Sequence, residues 1–268
     1  MNNLIQPRIL KGFRDFLPNS EIQRTTLTEK ITKVYRSFGF VPIDTPVLEY
    51  TEILLRKSNG ETEKQVFRFE DNGGRDVAMR FDLTVPFARF TAEHKDEIYF
   101  PFKRYHVAKV WRGEKPQAGR YREFVQCDVD IVGSDSAASD FEILNVMKCA
   151  FKEIGVENIT IHVNHRGIFN RFLNTLGVLD KSEDILRSVD KLAKVGKDEV
   201  FKELCEYTQD EEKSSKIIEY ISSTGSFLEI LDKIESLAGG KDKDSERMRE
   251  IYMMMQASGI EKFYVLDP

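Results

Sequence analysis

The chain has 268 residues, of which 41% are hydrophobic and 32% charged, with a net charge of −5. That is enough apolar side chain for a real core, spread over one large domain and a smaller one. The acidic balance argues against a general polyanion binder but leaves room for local basic patches. Cys127, Cys149 and Cys205 are odd in number and form no C-x-x-C. Neither a disulfide framework nor a zinc knuckle is expected, and the compartment reads as reducing. MNNLIQPRILKGFRDFLP lacks the apolar stretch of a secretory signal, and no apolar run approaches membrane length. His162 and His165 lie three apart near a strand end. Ordinary hydrogen-bonded histidines are expected there rather than a metal pair.

Gly12 to Pro18 reads as a loop. Ser20–Gln23 has the S-x-x-Q pattern of a capping box, followed by Leu27, Ile31, Val34 and Phe38 at helical spacing, with Gly39 as the stop. FVPIDTPVLE carries Pro42 and Pro46, which predict a short, bent or edge strand. Such an edge is open to pairing, a second copy of the chain being one candidate. Leu54 to Ser58 predicts a short helix ending at Gly60. VFRFEDNGGRDVAMRFD predicts two strands around a DNGG turn. Thr84 to His94 predicts a helix with Pro86 in its first turn. Arg104–Arg112 and Arg122–Val132 predict strands flanking the polar loop GEKPQAGRY. Ser139–Glu142 predicts a capping box opening a helix to Ile154. Asn158 to Val163 predicts a strand. From Ile168 to about Ala238 every apolar pattern is helical, which suggests a helical insertion. The glycine-rich stretch 239–244 predicts a turn, Glu246 to Ala257 a helix, and Lys262 to Leu266 the start of a strand.

The run from Arg122 to Ile131 carries the chemistry. Side chains alternate along a strand. One face therefore bears Arg122, Phe124, Gln126, Asp128 and Asp130; the other bears Val125, Cys127, Val129 and Ile131 and is expected to face the core. A hairpin would bring Arg112 alongside the polar face. That floor suits a ligand with both signs of charge. Arginine binds phosphate or carboxylate through paired hydrogen bonds, a phenyl ring stacks on a purine, and amide and carboxylate oxygens accept from ammonium or imidazole N–H. A salt-bridged, half-solvated sheet face fits the pattern equally well. Asp82 and Thr84 sit where a strand hands over to a helix, where an ordinary N-cap is expected. Neither a P-loop nor a dinucleotide-binding glycine fingerprint is found.

Trp111–Gly133, WRGEKPQAGRYREFVQCDVDIVG, resembles the second signature motif of class II aminoacyl-tRNA synthetases, in the form found in histidyl-tRNA synthetases. KGFRDFLP, FGFVPIDTPVLE and MRFDLTVPFARF support the resemblance and stand in the family's order. SVDKLAKVG at 188–196 resembles the helical insertion of the eukaryotic-type histidyl enzymes. The resemblance implies an α+β fold, a mostly antiparallel sheet of six to seven strands flanked by helices. It implies a catalytic core at 1–167, a helical insertion at 168–240, and a returning helix and strand of the core at 241–268.

The resemblance also implies roles. Arg112 is the catalytic arginine, bridging the histidine carboxylate and the ATP α-phosphate. Asp82, Leu83 and Thr84 lie at the histidine α-amino group, and Gln126 and Asp130 help hold the substrate histidine. Glu114 contacts the adenine amino group, Phe124 stacks on the adenine, and Arg120 belongs to the ATP loop. Gln117 and Arg122 lie where that loop approaches the tRNA acceptor end. No metal ligand is assigned to the chain; Mg²⁺ is expected on the phosphates of ATP. The chemistry implied is attack of the histidine carboxylate on the α-phosphorus with loss of pyrophosphate, then acyl transfer to tRNA(His). A homodimer through the Pro46 region and a cytoplasmic location complete the expectation. The family's third motif and anticodon-binding domain are not in the sequence, so the core is expected to be truncated at its C-terminal side and weak or inactive in aminoacylation by itself. A synthetase-like regulatory subunit of histidine biosynthesis, or a pseudo-synthetase that senses tRNA, is the alternative.

Overall fold

The computed structural model describes residues 5–56 and 63–268. The chain divides into two compact units. The first is formed by 1–135 with 145–156, the second by 136–144 with 157–268.

In the first unit, helix α1 (Pro18–Ser37) starts earlier than expected. Leu17 is its N-cap and no side chain caps it, so Ser20–Gln23 is not a capping box. Proline at the first helical position has its φ preset and no N–H to satisfy, which moves the start upstream. Gly39, at φ +79, ends the helix as expected. Strand β1 (Val41–Pro42) is only two residues long, and β2 (Leu48–Tyr50) follows it. Helix α2 is Thr51–Leu55; Ser58 and Gly60, read as its end, lie outside the described residues. Strands β3 (Arg68–Glu70) and β4 (Asp76–Met79) pair antiparallel around the DNGG turn. There Asp71 Oδ1 accepts from the N–H groups of Gly73 and Arg75. Helix α3 spans Thr84–Glu93. Strands β5 (Phe102–Trp111) and β6 (Glu123–Val132) form a ten-residue antiparallel ladder.

Among the described residues the strands lie in three small sheets, ordered β1-β5-β6, β2-β4-β3 and β7-β8. Two pairings are parallel, β1 with β5 and β7 (Ile161–Val163) with β8 (Tyr264–Leu266). The crossover between β7 and β8 is long and helical, which is what a parallel pair requires. β1, which contains Pro42, and β2, which follows Pro46, are both edge strands, as the prolines of this segment predict.

Helix α4 (Ala137–Glu153) begins before Ser139, because Ser136 Oγ accepts from the Ala138 N–H; Ser139–Glu142 is therefore inside the helix. The second unit continues with α5 (Arg166–Thr175), α6 (Ser182–Val189), α7 (Leu192–Val195), α8 (Lys197–Thr208), α9 (Glu211–Ile221), α10 (Phe227–Leu237) and α11 (Lys243–Ala257). In α10 a Ser226–Glu229 capping box precedes Phe227, Ile230, Leu231 and Ile234, all buried on one face. Helix α11 starts three residues earlier than its apolar pattern suggests. Asp242 accepts from the Ser245 N–H, so part of the expected turn is a cap. The core of this unit gathers Ile168, Phe172, Leu204, Ile217 and Leu231, with the Phe172 and Tyr220 rings stacked at 4.6 Å.

Candidate active site

The β5–β6 ladder sets the site. Its register puts Arg104 opposite Asp130, His106 opposite Asp128, Ala108 opposite Gln126 and Val110 opposite Phe124. These eight residues share one face, because paired positions in an antiparallel ladder point the same way. The ladder corrects one expectation. Val125, Cys127, Val129 and Ile131 are only half-buried, and the deepest side chains lie on the other face, where Arg104 and Val110 are 0% exposed and His106 is buried. The polar face is therefore a floor sunk into the first unit.

The loop before α3 brings Asp82 to this floor. Its Oδ1 accepts from the Val85 N–H at 3.1 Å, so it does cap α3, while Thr84 is exposed and caps nothing. Leu83 is fully buried and anchors the turn. Burial pushes the Asp82 carboxyl above its usual range, against the pull of the Val85 N–H and of Arg112. Burial likewise pushes Asp128 and Asp130 up, with Arg104 pulling each back.

Arg112 continues from β5. Its Nε donates to the Phe81 carbonyl at 3.2 Å, and its guanidinium lies 5.0 Å from the Phe124 ring centre. The sequence-derived residues Asp82, Arg112, Phe124, Gln126 and Asp130 are thus brought together. Gln126 Oε1 is buried and has no hydrogen-bond partner among the described residues.

The loop residues divide. Gln117 and Arg120 are exposed at the hairpin tip and bonded to each other through their backbones. Arg122 instead holds the loop closed, donating from Nε to the Glu114 carbonyl and from Nη1 to the Lys11 carbonyl. Its own N–H donates to the Gly12 carbonyl. Gly12, at φ +90, has to be glycine: a Cβ there would sit 2.8 Å from Arg122 Cγ. The Glu114 carbonyl is thereby fixed.

Arg104 is the residue that sequence reasoning missed. It is the largest fully buried side chain among the described residues, ion-paired to Asp130 at 2.5 Å and stacked 4.1 Å from the Phe87 ring centre. Only the strand register could have found it, since it pairs with a residue twenty-six positions away. On the same face, His106 Nε2 lies 3.0 Å from Asp44 Oδ1, and Arg80 donates to the carbonyls of Thr45 and Lys109. These bonds tie the segment between β1 and β2 to β5.

A separate cavity of about 880 Å³ in the second unit is lined by Arg166, Phe169, Arg187, Asp190 and Leu192. None of the residues nominated from the sequence lines it. Among the described residues no group of three His, Cys, Asp or Glu is placed to hold a metal.

A ten-residue antiparallel hairpin bearing an arginine, a ring, an amide and carboxylates on one face fits the class II aminoacyl-tRNA synthetase catalytic fold that the sequence motifs resemble. The family model for histidyl-tRNA synthetase matches residues 12–267, and the chain belongs to that family. It is 65% identical to histidine–tRNA ligase of Treponema denticola, over 100% of this chain and 61% of that protein. It is 47% identical to the histidine–tRNA ligase of Rhodopirellula baltica, over 96% of this chain and 59% of that one. The crystal structure of histidyl-tRNA synthetase from Nostoc superposes with a TM-score of 0.88 at 28% identity, over 98% of this chain and 61% of that chain. A Bacillus halodurans ATP phosphoribosyltransferase regulatory subunit/histidyl-tRNA synthetase shares the fold, with a TM-score of 0.82 at 21% identity. The chain spans about three-fifths of the length of these ligases.

Proposed function

We propose that the chain carries the histidine- and ATP-binding floor of a histidine–tRNA ligase. The observation that carries this reading is the buried, unpartnered Gln126 Oε1 on the same face of β6 as Asp128 and Asp130. Buried acceptors are normally satisfied. An amide oxygen and carboxylates spaced along one strand face call for N–H donors, which an imidazole and an ammonium supply. Asp82, with Leu83 and Thr84 around it, takes the α-amino group; Gln126 and Asp130 take the imidazole side.

ATP belongs at the other end of the floor. Phe124 offers a ring face for adenine and the Glu114 carboxylate an acceptor for its amino group, with Arg120 at the loop tip. Arg112 bridges the amino-acid carboxylate and the α-phosphate. Two anions must meet for the carboxylate oxygen to attack phosphorus and expel pyrophosphate. A guanidinium already oriented by the Phe81 carbonyl neutralises them without reorganising. Mg²⁺ accompanies the phosphates of ATP and neutralises their charge; no residue of this chain is assigned to it. Acyl transfer to the acceptor end of tRNA(His) follows, with Gln117 and Arg122 in the loop that meets it.

The exposed Val41, Leu48 and Tyr50 on the edge strands, with Val47 just before β2, support a homodimer through the Pro46 region. The helices of 168–240 are read as an insertion into a catalytic core formed by 1–167 and 241–268. No helix among the described residues is long and apolar enough to cross a membrane; a cytoplasmic location goes with tRNA as substrate. The test is amino-acid-dependent ATP–pyrophosphate exchange by the full-length protein. Exchange with histidine alone among the amino acids is expected. Exchange with none would contradict the ligase and favour a synthetase-like regulatory protein.

A further inference from the structure

The sequence motifs do not include Arg104, yet every charged group of the floor is arranged around it. It stands on β5 directly opposite Asp130, with Asp128 two residues along β6 and Asp82 arriving from the loop before α3. Phe87 of α3 covers its guanidinium. His106 on β5 also lies within reach of Arg104 and of Arg80, and Arg112, beyond the end of β5, acts on Asp82. Although fully buried, Arg104 makes no directed hydrogen bond from Nε or Nη1 among the described residues. A guanidinium so placed is stabilised by surrounding negative charge rather than by hydrogen bonds. It is sealed from solvent, so it acts on a ligand only through the carboxylates.

We propose that Arg104 is the positioning residue of the histidine pocket, a sunken counter-ion that fixes the Asp130 carboxylate and offsets its charge beside the ligand's N–H group. This rests on the reading of Asp130 as a histidine-binding residue. Three aspartates face two arginines here, Arg104 among them and Arg112 near Asp82, so acidic groups outnumber basic ones on the floor. A ligand that brings a cationic or N–H-rich end completes the balance. The sign of the pH effect follows. Burial raises the carboxyl groups and Arg104 lowers them. As pH falls through the raised value, the carboxylate takes up a proton and its acceptor function is lost. Removing the charge of Arg104 moves that loss to higher pH.

The test follows the aspartate carboxyl groups by carbon NMR in the wild-type chain, Arg104→Met and Arg104→Lys, while histidine affinity is measured across the same pH range. In Arg104→Met the Asp130 titration is expected to move up by about one pH unit or more, and histidine affinity near neutral pH to fall about tenfold. The acid limb of the affinity profile should move with it. Arg104→Lys should restore most of both. Titration of the ligand's own imidazole is common to all variants and cancels in the comparison. An unmoved Asp130 titration in folded Arg104→Met, or a moved titration with unchanged histidine affinity, overturns the proposal. Wild type that shows the Arg104–Asp130 coupling but binds no histidine locates the failure in the reading of the pocket, and the positioning role falls with it. If Arg104→Met does not fold, the Arg104 Nε resonance of the wild type decides. An inflection at the Asp130 pKa is expected, and its absence overturns the coupling.

Discussion

The β5–β6 floor and the helical core of the second unit solve opposite problems. The helical core buries Ile168, Phe172, Leu173, Leu204, Ile217 and Ile234 almost completely. The floor buries Arg104 and His106 and leaves every residue of β6 half-exposed. Apolar burial needs no partner of particular shape or charge, whereas a buried guanidinium without directed hydrogen bonds does. The helical unit therefore holds itself together, and the floor is kept ready for something that arrives. Around the floor, Arg80 and Arg122 clamp backbone carbonyls.

The comparison can be broken most forcefully at Phe172. Phe172→Ala removes a ring stacked on Tyr220 within the helical core, and a loss of about 3–5 kcal/mol is expected in urea unfolding. A loss below about 1 kcal/mol would mean that this core is not the rigid partner in the contrast. Arg112→Gln is the matching change on the floor. It should cut the kcat of histidine-dependent pyrophosphate exchange about 100-fold, with little effect on unfolding, because this guanidinium is half-buried and held by one carbonyl. A large stability loss without the kinetic one would make Arg112 a structural residue. The smallest effect sharpens the account of the helical unit. Asp210 caps α9 by accepting from the Glu212 and Lys213 N–H groups, so Asp210→Ala should cost about 1 kcal/mol and leave exchange unchanged.

Much of the floor was legible because a strand repeats every two residues and the run from Phe124 to Ile131 keeps its two faces chemically distinct. Arg104 was not legible. In the run Lys103-Arg104 it reads as an ordinary surface cation, and the pairing that buries it depends on a register across an eleven-residue connection. Helix starts failed for a local reason. Ser20 and Ser139 match the capping pattern, but Pro18 and Ser136 stand just upstream and act first. At Asp242 the opposite happened: two glycines disguised a cap as a linker. The parallel pairings of β1 with β5 and β7 with β8 join segments far apart in the chain, and no local pattern encodes them.

The central claim is that the floor itself selects histidine. Calorimetric titration with histidine, with a second amino acid as control, tests it most directly in the wild type and in Asp130→Ala. The account predicts saturable binding of histidine alone, lost in Asp130→Ala. Equal binding of the control amino acid, or histidine binding that survives unchanged in Asp130→Ala, would contradict it.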